Sequence, residues 1–177
     1  GPHTAAAEAL LPGVRVVATS SRPETDAWVS GLGAESLVNH RSPDLRAQIA
    51  EAAPEGVDWV FTSFVAEPGQ LELYVDVLNP FGEIVAIDDQ PDVGIGVLKP
   101  KSLSFHWEFM FARALAGGDD QLSQHALLAR VAELVDAGRV RTTVTRVLSP
   151  INAATLREAH ALVEGGRTIG KIVVAAE

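Results

Sequence analysis

Short runs rich in β-branched residues alternate with helical stretches along this chain, a pattern that predicts βαβ units and a mainly parallel sheet. Four runs are apolar on both faces: Val14-Arg15-Val16-Val17-Ala18, Val57-Asp58-Trp59-Val60-Phe61, Glu83-Ile84-Val85-Ala86-Ile87 and Lys171-Ile172-Val173-Val174-Ala175. Strands of this kind are usually covered by helices. Ser36-Leu37-Val38-Asn39 is a shorter candidate, and Thr142 to Leu148 alternates polar and apolar residues as an exposed or edge strand does. Leu103 to Phe109 is also strand-like, with Phe105, Trp107 and Phe109 on one face.

The helices between these runs are well punctuated. Ser21-Arg22-Pro23-Glu24 reads as a capping box with proline in the first turn, the serine hydroxyl accepting from the backbone at Glu24 while that carboxylate reaches back. This helix should stop at Gly31-Leu32-Gly33, and Ser42-Pro43 should start the next, with Leu45 and Ile49 on its buried side. Leu71, Tyr74, Val75 and Leu78 fall at helical spacing, after which Asn79-Pro80-Phe81-Gly82 should turn the chain into the Glu83 strand. The longest helix should hold Leu127, Leu128, Val131, Leu134 and Val135 and end at Gly138, and a last one runs from an Asn152 cap to Gly165-Gly166. Ala112 to Asp120 reads as a loose loop, and no internal repeat is found.

At 177 residues the chain has room for one full core. Fourteen Lys and Arg against twenty-three Asp and Glu leave a formal charge of −9 with no basic run, which argues against a nucleic-acid or anionic-membrane surface. Without cysteine there is no disulfide framework, thiolate zinc site or thiol nucleophile, as befits a reducing compartment. Apolar residues make up 47% of the chain, yet no uninterrupted stretch approaches the roughly 18 needed to span a bilayer. These readings define an α/β protein expected in the cytoplasm. Gly1-Pro2-His3-Thr4 reads as a protease-cleavage scar.

Several segments carry a resemblance. They are Val16 to Glu24, Leu32-Gly33-Ala34 with Val38-Asn39-His40-Arg41, Gly56 to Phe61, Leu98 to Phe111, Val131 to Gly138, and Pro150 to Ala154 leading to Ala159-His160-Ala161-Leu162 and Gly170-Lys171-Ile172-Val173. In this order they resemble the cofactor domain of the medium-chain dehydrogenase/reductase superfamily, and more closely its zinc-independent quinone-reductase or zinc-type alcohol-dehydrogenase-like branch. The match begins at about Ala7. Members of that superfamily carry an N-terminal catalytic domain, a first Rossmann strand and a Gly-rich turn that cradles the pyrophosphate. Here Ala5 to Leu11 resembles only the tail of the first helix. Gly31-Leu32-Gly33 follows a helix and Gly94-Ile95-Gly96 lies in a proline-bounded loop, so neither is a dinucleotide fingerprint. The resemblance therefore implies that residues 5–177 form a single, truncated Rossmann-like domain, a mainly parallel sheet flanked by helices. A sheet without its central strand leaves unpaired backbone groups at about 1–3 kcal/mol per buried group, so the flanking strands pair directly, a second copy covers them, or the chain is half of a larger assembly, with homodimerisation the favoured expectation.

The resemblance also implies site residues. Arg22 with Ser20 and Ser21 stands where an acidic residue would hold the ribose of NAD, and a guanidinium with two hydroxyls suits the 2′-phosphate of NADPH. His40 and Arg41 follow the next strand and would flank the same phosphate. Thr62, Ser63 and Phe64, then Asp88 and Asp89, end the two strands that in the family face adenosine and nicotinamide. Asp88-Asp89-Gln90-Pro91 reads equally as an acidic turn. Phe105 belongs to a stretch that passes near the nicotinamide in relatives, although aromatics at period two more often fill a core or an interface. Lys171 would meet a phosphate or merely start a strand. His106 and Glu108 share a face as a polar dyad or an interface pair. His125 and His160 have no second ligand at helical spacing, so no metal site is expected. Catalytic residues are not identified.

Two functions follow. One is the cofactor-domain portion of an NADPH-dependent quinone or enone reductase acting on a small-molecule substrate, not competent for turnover alone. The other is a shortened Rossmann-like dimeric scaffold, small-molecule binder or non-redox biosynthetic enzyme.

Overall fold

Every strand pair among the described residues is parallel, as the alternation of apolar runs and helices requires. A computed structural model describes residues 13–63, 69–89, 92–117 and 122–176. The expected cleavage scar, the Ala5 to Leu11 helix tail, Phe64, Gln90-Pro91 and Gly118-Asp119-Asp120 lie outside those residues. In chain order the elements are β1 (Val17–Ser20), α1 (Pro23–Gly31), β2 (Ser36–Asn39), α2 (Leu45–Ala52), β3 (Val57–Thr62), α3 (Gln70–Val77) and β4 (Leu78–Ala86). There follow a 3-10 helix (Ile95–Lys101), β5 (Ser104–Trp107), α4 (Ala112–Ala116), α5 (Ser123–Asp136), β6 (Val144–Leu148), α6 (Ala153–Glu164) and β7 (Lys171–Val174). No helix of the described residues is long and apolar enough to cross a membrane.

The chain divides into two compact units, one drawn from Gly1–His40 and Leu127–Glu177, the other Arg41–Ala126. In the first, β1 pairs with β2 from Val17↔Ser36 to Ser20↔Asn39, and β6 pairs with β7. β1 begins three residues later than its apolar run, because its partner β2 starts only at Ser36. In the second, the sheet order is β3-β4-β5. Among the described residues β1 is paired on one side alone, by β2, and β3 on one side alone, by β4.

The start of α1 corrects the expected cap by one residue. Arg22, extended at φ −143°, ψ 143°, is the cap, and Pro23 opens the helix. Proline disfavours the helical region for the residue before it, and its own fixed φ suits the first helical position, so the helix cannot begin earlier. The reciprocal contacts come from Thr25, whose Oγ1 accepts from Arg22 N at 3.2 Å and donates to Arg22 O at 2.7 Å. At α6 the expected cap is found: Asn152 Oδ1 accepts from the backbone N–H groups of Ala154 and Thr155 at 2.9 Å.

The core of the second unit is Leu71, Leu78, Ile84 and Leu98, with Val60, Tyr74 and Phe105 packed against it. Ile84 lies between Val60 and Phe105 in register and is fully buried. Lys101 closes the C-terminus of α3, its Nζ donating to the carbonyls of Val75 (2.7 Å), Asp76 (3.1 Å) and Leu78 (2.7 Å). One expectation of cover fails. Trp59 and Phe61, on the opposite face of β3, are exposed, so this run is covered on one face only among the described residues. On α5 Leu134 is buried while Leu127, Leu128 and Val131 are exposed. Ala112–Ala116, expected as loop, is a short helix of good helix formers.

The expected turn at Asn79-Pro80-Phe81-Gly82 is instead a bulge within β4. Val57 pairs with Leu78 and Trp59 with Glu83, so the segment between is extruded while pairing continues on both sides. Phe81 there adopts φ +67° with its ring 78% exposed. A left-handed phenylalanine is strained by about 1–2 kcal/mol, and glycine's extra unfolded-state entropy offsets part of any gain. Phe81→Gly is expected to stabilise the chain by roughly 0.5–1 kcal/mol in urea denaturation; a loss of stability would contradict the strain.

Candidate functional site

Parallel sheets bind ligands outside the carboxyl ends of their strands, and each unit presents one such edge. In the first unit it is built where β1 and β2 end. Ser20 is buried, and its Oγ donates to Asp26 Oδ1 in the first turn of α1. Ser21 is half-buried. Arg22 caps α1, and its Nη2 donates to the carbonyl of Arg167 at 3.5 Å, so the turn ahead of β7 holds the guanidinium at this edge. His40 is exposed just past β2, with its backbone N–H bonded to Ser20 O at 3.1 Å. The structure thus gathers Ser20, Ser21, Arg22 and His40. Lys171 belongs to the same unit but opens β7, its N–H bonded to Thr143 O at 2.7 Å. Arg41 falls in the other unit.

The second unit's edge holds Thr62, Ser63 and Asp88. Thr62 ends β3 and is 6% exposed; its Oγ1 is 2.7 Å from the Tyr74 hydroxyl on α3, and its carbonyl accepts from Ile87 N at 3.1 Å. Ser63 is exposed and Asp88 half-buried. Burial pushes the Tyr74 phenol above its ordinary value of 10.0; hydrogen bonds with Thr62 and Gln70 oppose that shift, and the charge of Asp88 adds to it. The folded state therefore holds this proton more tightly than the unfolded chain. That stabilisation is whole below about pH 10 and is lost as pH rises through the folded value. Urea midpoints are expected to fall more steeply above about pH 10 in the native chain than in Tyr74→Phe; identical pH profiles would refute the shift.

Phe105 is placed by the core rather than at a strand end, packing against the Leu71–Ile84 cluster and meeting Trp107 edge-on at 4.9 Å. His106 lies toward Glu83 across the sheet, Nε2 to Oε2 3.9 Å, rather than toward Glu108. Sequence reasoning missed Asp26, Tyr74 and Arg167. Tyr74 had been counted only as a core position, although a phenol in an apolar stripe needs a partner for its hydroxyl.

Residues 32–174 match the zinc-binding dehydrogenase family, and the chain belongs to that family, within the medium-chain dehydrogenase/reductase superfamily. It is 36% identical over 165 residues to a zinc-type alcohol dehydrogenase-like protein of Staphylococcus epidermidis, covering 92% of this chain and 48% of that protein. A Staphylococcus aureus protein of the same description is 32% identical over 169 residues, with the same shares covered. Among solved structures, a putative zinc-dependent alcohol dehydrogenase from Rhizobium etli superposes with a TM-score of 0.86 at 40% identity, over 97% of this chain and 49% of that one. The nucleotide-binding subdomain of the enoylreductase domain of PpsC from Mycobacterium tuberculosis shares the fold at 22% identity, with a TM-score of 0.60 over 77% of this chain and 75% of that one. The chain spans about half the length of the curated relatives it matches.

For a zinc ion, which the family description names, no donor set is found among the described residues. The chain has no cysteine, and among the described residues no group of three or more His, Asp or Glu is placed to hold a metal. A nucleotide phosphate has candidate partners here: the Arg22 guanidinium stands at the end of β1 ahead of the N-terminus of α1, whose first turn also carries Glu24 and Asp26.

Proposed function

We propose that the chain is the nucleotide-binding portion of an NADPH-dependent oxidoreductase that reduces quinones or enones. The observation that carries this reading is Arg22, held by the Arg167 carbonyl at the carboxyl end of β1 and directly ahead of α1. There the helix N-terminus favours an anion, and the planar guanidinium is suited to gripping a phosphate on two oxygens. Ser21 and His40 stand beside it. The bound nicotinamide would supply the hydride. The protein would supply binding and orientation, with Ser20, Ser21, Arg22, His40 and Arg41 at the 2′-phosphate and Thr62, Ser63 and Asp88 at the sugars. Lys171 is assigned to phosphate as well, and Phe105 to supporting the nicotinamide-facing strand from the core. The substrate class rests on the likeness of Leu98 to Phe111 to quinone reductases. The exposed Trp107, Phe109, Met110 and Phe111 are proposed as a homodimer contact, for which light scattering should give twice the chain mass.

A second cofactor reading has one observation in its favour. Asp26, bonded to Ser20, is an acidic group near the same strand end and would suit the ribose diol of NADH. Fluorescence titration separates the two. NADPH is expected to bind tighter than about 10 μM and NADH at least tenfold more weakly; the reverse order would favour the Asp26 reading, and no binding up to millimolar would remove both.

A further inference from the structure

Tyr74 is a partly buried titratable group that the proposed reading leaves without a role. It is the chain's only tyrosine. It packs against the Leu71–Ile84 core, where a phenol needs a partner for its hydroxyl, and its partner lies at the ligand edge itself: Thr62 Oγ1, 2.7 Å away, in the last residue of β3. Because Thr62 O also accepts from Ile87 N, the ends of β3 and β4 are tied together at this point, with Asp88 immediately beyond. Three elements converge there.

The surroundings limit what this cluster can do. Asp88 is the charged group whose field reaches the phenol. Lys101, on the 3-10 helix, holds three carbonyls at the far end of α3, and Arg46 of α2 pairs with Asp76. Glu72 of α3 is exposed. A ligand anion beside Asp88 would be repelled, and a buried phenolate beside it would be doubly disfavoured, so the cluster suits neither phosphate binding nor proton donation. It suits a neutral phenol that fixes the rotation of the Thr62 hydroxyl.

Building on the dinucleotide reading above, we infer that Tyr74 is a positioning residue that orients the Thr62 hydroxyl toward a neutral sugar hydroxyl of the bound nucleotide at the carboxyl end of β3. Tyr74 acts through Thr62, so the two side chains are thermodynamically one contact.

The test uses the full chain, with NADPH as the ligand in calorimetric titrations of the native protein, Tyr74→Phe, Thr62→Val, Thr62→Ser and the double variant Tyr74→Phe/Thr62→Val. Tyr74→Phe and Thr62→Val should each weaken binding roughly five- to tenfold, the double variant no more than either, and Thr62→Ser less than about twofold. Native-like NADPH affinity in Tyr74→Phe, or additive losses in the double variant, would overturn the inference and leave the dinucleotide reading standing. Failure of the native chain to bind NADPH would overturn both. Should a variant not fold, the native chain labelled with ¹³Cζ-tyrosine gives a single resonance. That resonance is expected to move on saturation with NADPH, and an unmoved resonance at saturation would again overturn the inference.

Discussion

Replacing Arg22 by glutamate is expected to weaken NADPH binding by about 100-fold and to leave NADH affinity within about threefold. The size follows from the chemistry of the contact. A guanidinium–phosphate interaction with charge-assisted hydrogen bonds contributes on the order of 1.5–3 kcal/mol, and a carboxylate in its place adds repulsion at the helix N-terminus. A net loss of about 3 kcal/mol corresponds to roughly 100-fold. On the proposed reading, selectivity for the phosphorylated cofactor would arise because NADH has no 2′-phosphate for residue 22 to meet. Arg22 is a half-buried cap whose own side-chain bond is to the Arg167 carbonyl, and Thr25 supplies the hydroxyl that closes the helix start. The folded state should therefore survive the change, with an unfolding midpoint within a few degrees of native. Equal losses for both cofactors would mean that Arg22 shapes the edge without touching the phosphate.

Ile84→Ala should be the most damaging single change to the fold of the Arg41–Ala126 unit. The side chain is 0% exposed, sits at the centre of β3-β4-β5 between Val60 and Phe105, and closes the cluster of Leu71, Leu78 and Leu98. Truncation removes buried methyl and methylene groups and leaves a cavity that a middle strand cannot collapse into. About 3–4 kcal/mol of destabilisation is expected. At roughly 2–4 °C per kcal/mol for a chain of this size, the thermal midpoint should fall by about 8–15 °C. The damage should reach the site, because the same strand leads to Ile87, whose N–H holds the carbonyl of Thr62, and to Asp88. Differential scanning calorimetry checks the prediction, and a drop of under about 1 kcal/mol would show that the core is not organised around β4.

What could be read from residue order alone was the periodicity. The apolar runs place β2, β3, β5 and β6 well, and the Asn152 cap and the glycine stops locate α6 and the end of α1, because these features are local in sequence. The misplacements have non-local causes. β1 starts late because β2 dictates its register, and the Asn79–Gly82 turn became a bulge because β3 pairs on both sides of it. The cap at α1 moved from Ser21 to Arg22 through a conflict between two local rules, which the proline decided. The exposure of Trp59, Phe61, Leu127 and Leu128 could not be read from amphipathic spacing, which marks an apolar face without saying what covers it. For the site, the family resemblance points to the ends of β1 and β3, and residue chemistry adds only that a guanidinium and hydroxyls there suit a phosphate. The contacts that hold those groups in place, Arg22 on the Arg167 carbonyl and Thr62 on Tyr74, join residues far apart in sequence or across a helix and strand, and no motif announces them.

The measurement that bears most directly on the whole account is a map of backbone amide shifts in the ¹⁵N-labelled chain as NADPH is added. The account predicts that perturbations concentrate at Ser21, Arg22, His40, Thr62, Ser63 and Asp88, at the carboxyl ends of β1 to β4. Shifts confined to the opposite ends, around Val16, Gly56 and Phe81, or an unchanged spectrum at millimolar NADPH, would contradict it.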